Sequence, residues 1–256
     1  MEENINKSNT VYRNCFVVFL DIMGFKNIIN ETKKDGDLAR KIKDILIHIA
    51  NEKINNDDES VPWRNDARNI SVFSDSMVIS YWSETVINGS LYHLLMDVSY
   101  ICGDLIEKDV FFRGAITYGH LYHDKNICFG PALVDAYMIE EGVAVYPRVV
   151  IDDIAIEEGV RLKSVSNSTE EEKDFLKKII KRDIDGKHYL DYLISILGEI
   201  DGYDEFMKKI KLNIERKLGN KYANRIMCKY MWFANYYNQC IREIYSNPTD
   251  EILIKY

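Results

Sequence analysis

Two aspartates stand where the sequence changes character, and their surroundings suit chemistry on phosphate. Asp21 ends the apolar run CFVVFL (Cys15 to Leu20) and is followed by Ile22-Met23-Gly24-Phe25, which opens a turn or helix. A carboxylate at such a point can hold Mg²⁺ while backbone N–H groups and the helix start receive phosphate oxygens. Gly24 lets the main chain come close to a ligand. Asp75 interrupts NISVFSDSMVISYW at Ser74-Asp75-Ser76, the tip of an expected hairpin on the strand beside Asp21. Facing each other, the two carboxylates would make a two-metal clamp. Taken singly, each also fits a plainer role, Asp21 as a helix cap and Asp75 as a turn residue.

The elements that must position them follow from periodicity. CFVVFL is short, continuously apolar, and β-branched or aromatic, which predicts a strand buried on both faces. Leu38, Ile42, Ile45, Leu46 and Ile49 recur at helical spacing over 37–53, predicting an amphipathic helix on a sheet. NNDDESVPWRNDAR reads as a loop before the hairpin. Leu91, Leu94, Leu95, Val98, Ile101, Cys102 and Leu105 predict a second helix, and VFFRGAITYG the next strand. The order is β-α-β-β-α-β, a ferredoxin-like unit of the α/β (α+β) class. GPALVDAYMIEE, with Pro131 in its first turn, predicts a helix, and YPRVVID, with Pro147 at its start, a strand that extends the sheet.

Residues 156–187 are dense in charge and include STEEEKDFLKKIIKRD, which predicts a linker, after which the chain reads as helical. From Tyr189 onward, DYLISIL and KYMWFANYYN are too apolar for a solvated helix, so they pack on the first part of the chain or on a partner. The expected organisation is one domain over 1–155 and a charged linker with an aromatic-rich helical extension over 156–256.

Hydrophobic residues at 46% and charged residues at 29% are globular values. A net charge of −8, from 41 acidic and 33 basic residues, weighs against polymeric nucleic acid as a partner. The five cysteines are odd in number and never spaced C-x-x-C, so they read as reduced thiols. MEENINKSNTVYRN lacks the apolar core of a signal peptide, and no window approaches the about 18 apolar residues of a membrane span. That predicts a cytoplasmic chain with no membrane insertion. His120 and His123 in HLYH follow a strand and lack a third ligand, so a surface hairpin is the better reading than zinc. Cys128 has no nearby base to make it a nucleophile. Arg113, inside an apolar strand, needs either a carboxylate or a phosphate partner, and both stay open.

VFLDIMGF resembles the first metal-binding strand of the class III nucleotidyl cyclases, whose adenylate and guanylate members share one catalytic domain. FSDSMVIS is similar to their hairpin with the second metal aspartate, and FRGAITYG followed by FGPALVDAYMIE resembles a later strand and helix of the same domain. The resemblance covers residues 11–152. Within the family it looks nearest to the bacterial pyrimidine cyclases of the Pycsar antiphage systems.

The resemblance implies a ferredoxin-like core extended as in these cyclases. It implies conversion of a nucleoside triphosphate, UTP or CTP, to its 3′,5′-cyclic monophosphate plus pyrophosphate, with the product a second messenger in antiphage defence. Asp21, the main chain of Ile22, and Asp75 would hold two Mg²⁺ or Mn²⁺ ions. Ile22, Met23, Gly24 and Phe25, with Lys26, would cradle the triphosphate, in a homodimer with the active site at its interface. The family's transition-state asparagine and arginine fall on Val134 and Met138, which cannot donate to an oxyanion. Arg113, Arg148, Lys26 and Tyr137 are the candidate replacements, with Arg113 the first choice. The base-reading positions fall on Ser71 and Ile127, so both purine-reading pairs are gone. The unfilled roles leave two other readings, a catalytically silent nucleotide-binding or sensor module of the same fold, and a scaffold built on the aromatic tail.

Overall fold

The computed structural model describes residues 11–55, 67–84, 88–124 and 127–256. Most of the loop expected before the hairpin falls on 56–66, outside the described residues. The strand β1 (Arg13–Ile22) lies inside the sheet, and Phe16, Val17 and Val18 are fully buried and leave neither of its faces to solvent. It pairs antiparallel with β3 (Ser76–Trp82) on one edge and β4 (Phe112–Asp124) on the other. β2 (Arg68–Phe73) forms the expected hairpin with β3 around Ser74 and Asp75, and Ser74 takes a left-handed φ of 58° to close it.

Between β1 and β2 the chain forms α1 (Phe25–Thr32) and α2 (Gly36–Asn55), with Ile42 and Ile45 buried as the periodicity predicts. α3 (Ser90–Glu107) joins β3 to β4 and buries Leu91, Leu94, Leu95, Val98, Cys102 and Leu105. Strand order β2-β3-β1-β4 is that of the ferredoxin-like unit, so the fold class is the expected one. β4 runs past the predicted strand end to Asp124, and β5 (Ile127–Phe129) folds back on it. α4 (Pro131–Gly142) lies across β1 and β4, and β6 (Val149–Ile151) joins β4 in parallel.

Alternation along β1 sorts its side chains onto two faces. Phe16, Val18, Leu20 and Ile22 enter the large core with α3, whereas Cys15 and Val17 meet Val78, Leu121 and Ala132 in a small cluster on the other side. Asp21 belongs by parity to that second, thinly covered face.

The predicted linker needs correction. Residues 153–182 form α5 (Asp153–Arg161), α6 (Thr169–Ile179) and β7 (Ile180–Arg182). The charge of STEEEKDFLKKIIKRD is that of one amphipathic helix. Ser168 and Glu171 make a capping box, acids fill the first turn, Lys177 and Lys178 the last, and Leu176 and Ile179 are buried. β8 (His188–Leu190) then pairs with β6 and β7, which completes the order β2-β3-β1-β4-β6-β8-β7. Beyond it the chain is helical as expected, with α7 (Tyr192–Ser195), α8 (Tyr203–Leu218) and α9 (Asn224–Ile244).

The aromatic block sits on α9 and packs on its own chain. Phe233 lies edge-on to Phe111 at 5.5 Å, Tyr236 meets Tyr189 and Tyr192, and Trp232 stacks on Tyr146 at 5.7 Å. One core therefore runs from Phe16 to Ile254. All five cysteines are free, and no helix among the described residues is long and apolar enough to cross a membrane.

Because Phe233 is 0% exposed and anchors α9 against the end of β4, Phe233→Ala should cost about 3–5 kcal/mol of unfolding free energy. A denaturant titration checks this, and a loss under about 1 kcal/mol would mean that α9 does not rest on that contact.

Candidate active site

Antiparallel register places Asp21 opposite Ser76 on β3 and opposite Arg113 on β4, so three polar side chains form a row across the centre of the sheet. Ser76 Oγ donates to Asp21 Oδ1 at 3.2 Å, and Arg113 Nε lies 3.8 Å from Asp21 Oδ2. The hairpin tip is tied to the end of β1 by its main chain, since the Asp75 carbonyl accepts from the Ile22 N–H at 2.9 Å. Asp21 and Asp75 also border a small cavity of about 10 Å³, whose walls are mostly side chains of the large core, Leu20, Ile22, Leu46, Val72, Met77 and Phe112. That is room for roughly one water-sized particle. Gly114 lets β4 lie this close, because a Cβ there would come within 2.6 Å of the Phe19 carbonyl oxygen.

The charges in this row oppose one another. Burial raises the Asp21 pKa, the like charge of Asp75 raises it further, and Arg113 and the Ser76 hydrogen bond pull it back. Two carboxylates that repel each other gain most from a cation held between them. Among the described residues no group of three or more histidine, cysteine or acidic side chains gathers at one point. Two carboxylates with a serine hydroxyl beside them fit an ion of the Mg²⁺ type, which takes one or two carboxylates and completes its shell with water and substrate phosphates.

The main-chain cradle is smaller than expected. The Ile22 N–H is taken by Asp75, and the Met23 N–H donates to the Phe111 carbonyl at 2.8 Å, so neither is left for phosphate. What remains is the first turn of α1 at Phe25 and Lys26, entered through Gly24 at φ 75° with no side-chain cap. Lys26 is exposed at that turn.

Arg113 meets carboxylates rather than open solvent. Its Nε is 2.5 Å from Oε1 of Glu140, which α4 buries to 2% exposure. That oxygen has no aligned hydrogen bond, so the contact is one of charge. Burial lifts the Glu140 pKa to about 7 against the pull of Arg113, helped by Asp21 and Glu141. Val134 and Met138 are each 59% exposed on the outward side of α4, and neither side chain carries a hydrogen-bond donor. Of the four candidate replacements, Tyr137 is exposed and edge-on to Phe19 at 5.6 Å. Arg148 is ruled out: it is buried, held by Asp183 and Asp185, and stands over the rings of Tyr146 and Trp232. Its partners come from the turn after β7, which sequence spacing does not reveal.

Of the two base-reading positions, Ser71 is buried and Ile127 is 60% exposed on β5. Ser71 Oγ shares a hydrogen bond with His123 Nε2 at 2.9 Å, and Ser80 Oγ shares one with His123 Nδ1 at 2.8 Å. The expected hairpin is there, since His123 pairs with Cys128 where β5 folds back on β4, but within it His123 is an inward, oriented imidazole. The available signal was period two: His123 shares its face of β4 with Arg113, as Ser80 shares its face of β3 with Ser76. His120 turns the other way and stacks on Tyr12 at 6.2 Å, so the two histidines do not converge. Burial pushes the Cys128 thiol up to about 12, which leaves it protonated and inert.

No family model and no curated protein matches the sequence. Among solved structures, the chain is similar to the guanylate cyclase domain of RhGC from Catenaria anguillulae in complex with GTP, with 13% identity and a TM-score of 0.45, over 70% of this chain and 96% of that one. It is also similar to the monomeric guanylyl cyclase domain of the RhoGC fusion protein from the aquatic fungus Blastocladiella emersonii, with 15% identity and a TM-score of 0.42, over 70% and 94%. A third is the guanylyl cyclase Cya2, with 13% identity and a TM-score of 0.40, over 58% and 79%.

Proposed function

We propose that this protein is a metal-dependent nucleotidyl cyclase that converts UTP or CTP to the 3′,5′-cyclic monophosphate and pyrophosphate. The observation that carries the reading is the pair Asp21 and Asp75, brought to the same end of β1 by register and by the hydrogen bond from Ile22 to the Asp75 carbonyl. The divalent ions these carboxylates would hold, Mg²⁺ or Mn²⁺, supply charge neutralisation at the phosphates and acidify the attacking hydroxyl. The chain itself positions. Asp21 and Asp75 fix the reacting end, the first turn of α1 receives the outer phosphates, and Arg113 grips oxygens of the transferring group. The ribose 3′-oxygen forms a bond to the α-phosphorus, its proton leaves to water, and the bridging α–β bond breaks with its electrons on pyrophosphate.

A pyrimidine is favoured because both purine-reading pairs are missing, and the hydrogen-bonding groups at this place are Ser71, His123 and Ser80. The homodimer is supported by Phe129, Val134, Tyr137 and Met138, apolar side chains exposed on β5 and α4. A cyclic pyrimidine nucleotide would serve as a second messenger in antiphage defence. A silent nucleotide-binding module is the second reading, favoured by the commitment of Arg113 to Glu140.

Turnover of ATP, GTP, CTP and UTP with Mn²⁺, read by mass spectrometry of the cyclic products, separates the two. CTP or UTP should be cyclised fastest, and a clear purine preference would remove the pyrimidine assignment. Asp21→Asn and Asp75→Asn should each bring turnover to background. The Asp21 pKa is raised on folding, so its ionised form costs stability as pH rises through that range, and Asp21→Asn should melt no lower than wild type at pH 8 without metal. Normal turnover in either variant sinks the two-metal clamp.

Arg113→Ala strands a buried glutamate, so it should melt lower by an amount that grows with pH as Glu140 ionises above about 7. Adding Glu140→Gln should restore the melting temperature while turnover stays down about 10²–10³-fold. Recovery of turnover in the double variant would make Arg113 structural alone.

A further inference from the structure

A second cavity lies away from Asp21 and Asp75, beside α3, where the C-terminal part of the chain meets the β-α-β-β-α-β core. It measures about 890 Å³, and its walls are the edge strand β2, the stretch of α3 from Asp97 to Glu107, the turn after α7 and the first half of α8. That is the size of a cleft that encloses a small organic molecule, at the kind of junction where such clefts form.

The walls are tied together at three points spaced along α3. Tyr100 Oη donates to Glu199 at 3.2 Å, and Lys209 Nζ donates to Glu107 at 3.0 Å. Between them Gly103 admits Ile196, whose Cδ1 would stand 2.9 Å from a Cβ at that position. Residues 100, 103 and 107 share one side of the helix, so α3 and the C-terminal part are braced across the cavity and its shape exists before any ligand arrives.

The lining combines hydrocarbon with charge. Ile101, Ile196, Ile200, Phe206 and Leu212 supply the apolar surface, and Leu212 is 58% exposed. Arg68 and Asp97 add an ion pair at 3.1 Å, with each side chain only 5% exposed. Arg68 is thus answered by Asp97, and Lys209 by Glu107. What is left over is acidic: Asp104, Asp201 and Glu205 against Lys208. Lys108 stands 3.7 Å from Asp104 and offsets one of the three. Asp104 and Glu107 also occupy the last turn of α3, where a helix carries its partial negative charge and this one places no base.

We propose that this cavity is a binding site for a small organic cation, an amine carried on an apolar body. The ammonium sits at the acidic rim, where carboxylates give it charge-assisted hydrogen bonds, and the body lies against Ile101, Ile200 and Phe206. The site goes beyond the cyclase reading and does not depend on it, since none of its residues borders Asp21 or Asp75.

Phenethylamine, phenethyl alcohol and phenylacetate share one apolar body and differ in charge at neutral pH, so they are the probes. Ligand-observed NMR titration of the full chain should give saturable binding of the amine with a Kd on the order of 1 mM, the alcohol weaker by about fivefold or more, and no binding of the carboxylate. The double variant Asp201→Lys with Glu205→Lys reverses the rim through two exposed side chains. It should weaken the amine by about tenfold or more and let phenylacetate bind. If that variant does not fold, Asp201→Lys alone should weaken the amine by about threefold or more. The proposal is overturned if wild type shows no saturable binding of the amine, if the alcohol binds as tightly, or if the reversed rim keeps its preference for the amine.

Discussion

β1 is hydrogen-bonded along both edges, and this double pairing fixes where every other group of the site can be. The register with β3 and β4 puts Ser76 and Arg113 opposite Asp21, and the hydrogen bond from Ile22 to the Asp75 carbonyl draws the hairpin tip to the same point. A slip of one residue would turn Asp21 into the large core and bring Leu20 or Ile22 to the face that carries Ser76 and Arg113. The fully buried Phe16, Val17 and Val18 oppose such a slip, because both faces of the strand would lose their packing at once. An acidic pair in a repulsive geometry is held by apolar burial elsewhere on the same strand.

The central strands were legible because their physics is local. CFVVFL announces burial on both faces, the break at Ser74-Asp75-Ser76 announces a turn, and the apolar spacing of α2 and α3 is helical. The two aspartates could be found because both lie at points where a strand stops. What was hidden depends on distant partners. β7 and β8 have three residues each, too few for any period, and they are strands only because β6 offers an edge. The charges over 168–182 read as a linker because acid and base were counted without their positions at the two ends of one helix. His123 lay within the strand pattern, but its role appears only when Ser71 and Ser80 are brought to either side of it.

Arg113 illustrates why a residue type at a known place does not settle its role. The sequence left carboxylate and phosphate as equal partners, and in the fold the carboxylate is there at 2.5 Å. Yet Glu140, with a pKa of about 7, is close to surrendering its charge near neutrality, and Asp21 stands on the other side. An arginine between two weakly committed acids keeps some of its capacity for an arriving anion, unlike Arg148, which Asp183 and Asp185 hold on both arms.

The same balance bears on why an aromatic helix should pack at the end of this sheet. α4 offers Val134 and Met138 to solvent, so it brings no donor inward, and any further cation must come from another element. The position of α9 is set by Phe233, Tyr236 and Trp232, which no phosphate would touch. A side chain on a helix is placed only as precisely as the helix is anchored. Loosening that core would free α9 before it unfolded the sheet, because α9 can shift while β1 remains paired on both edges.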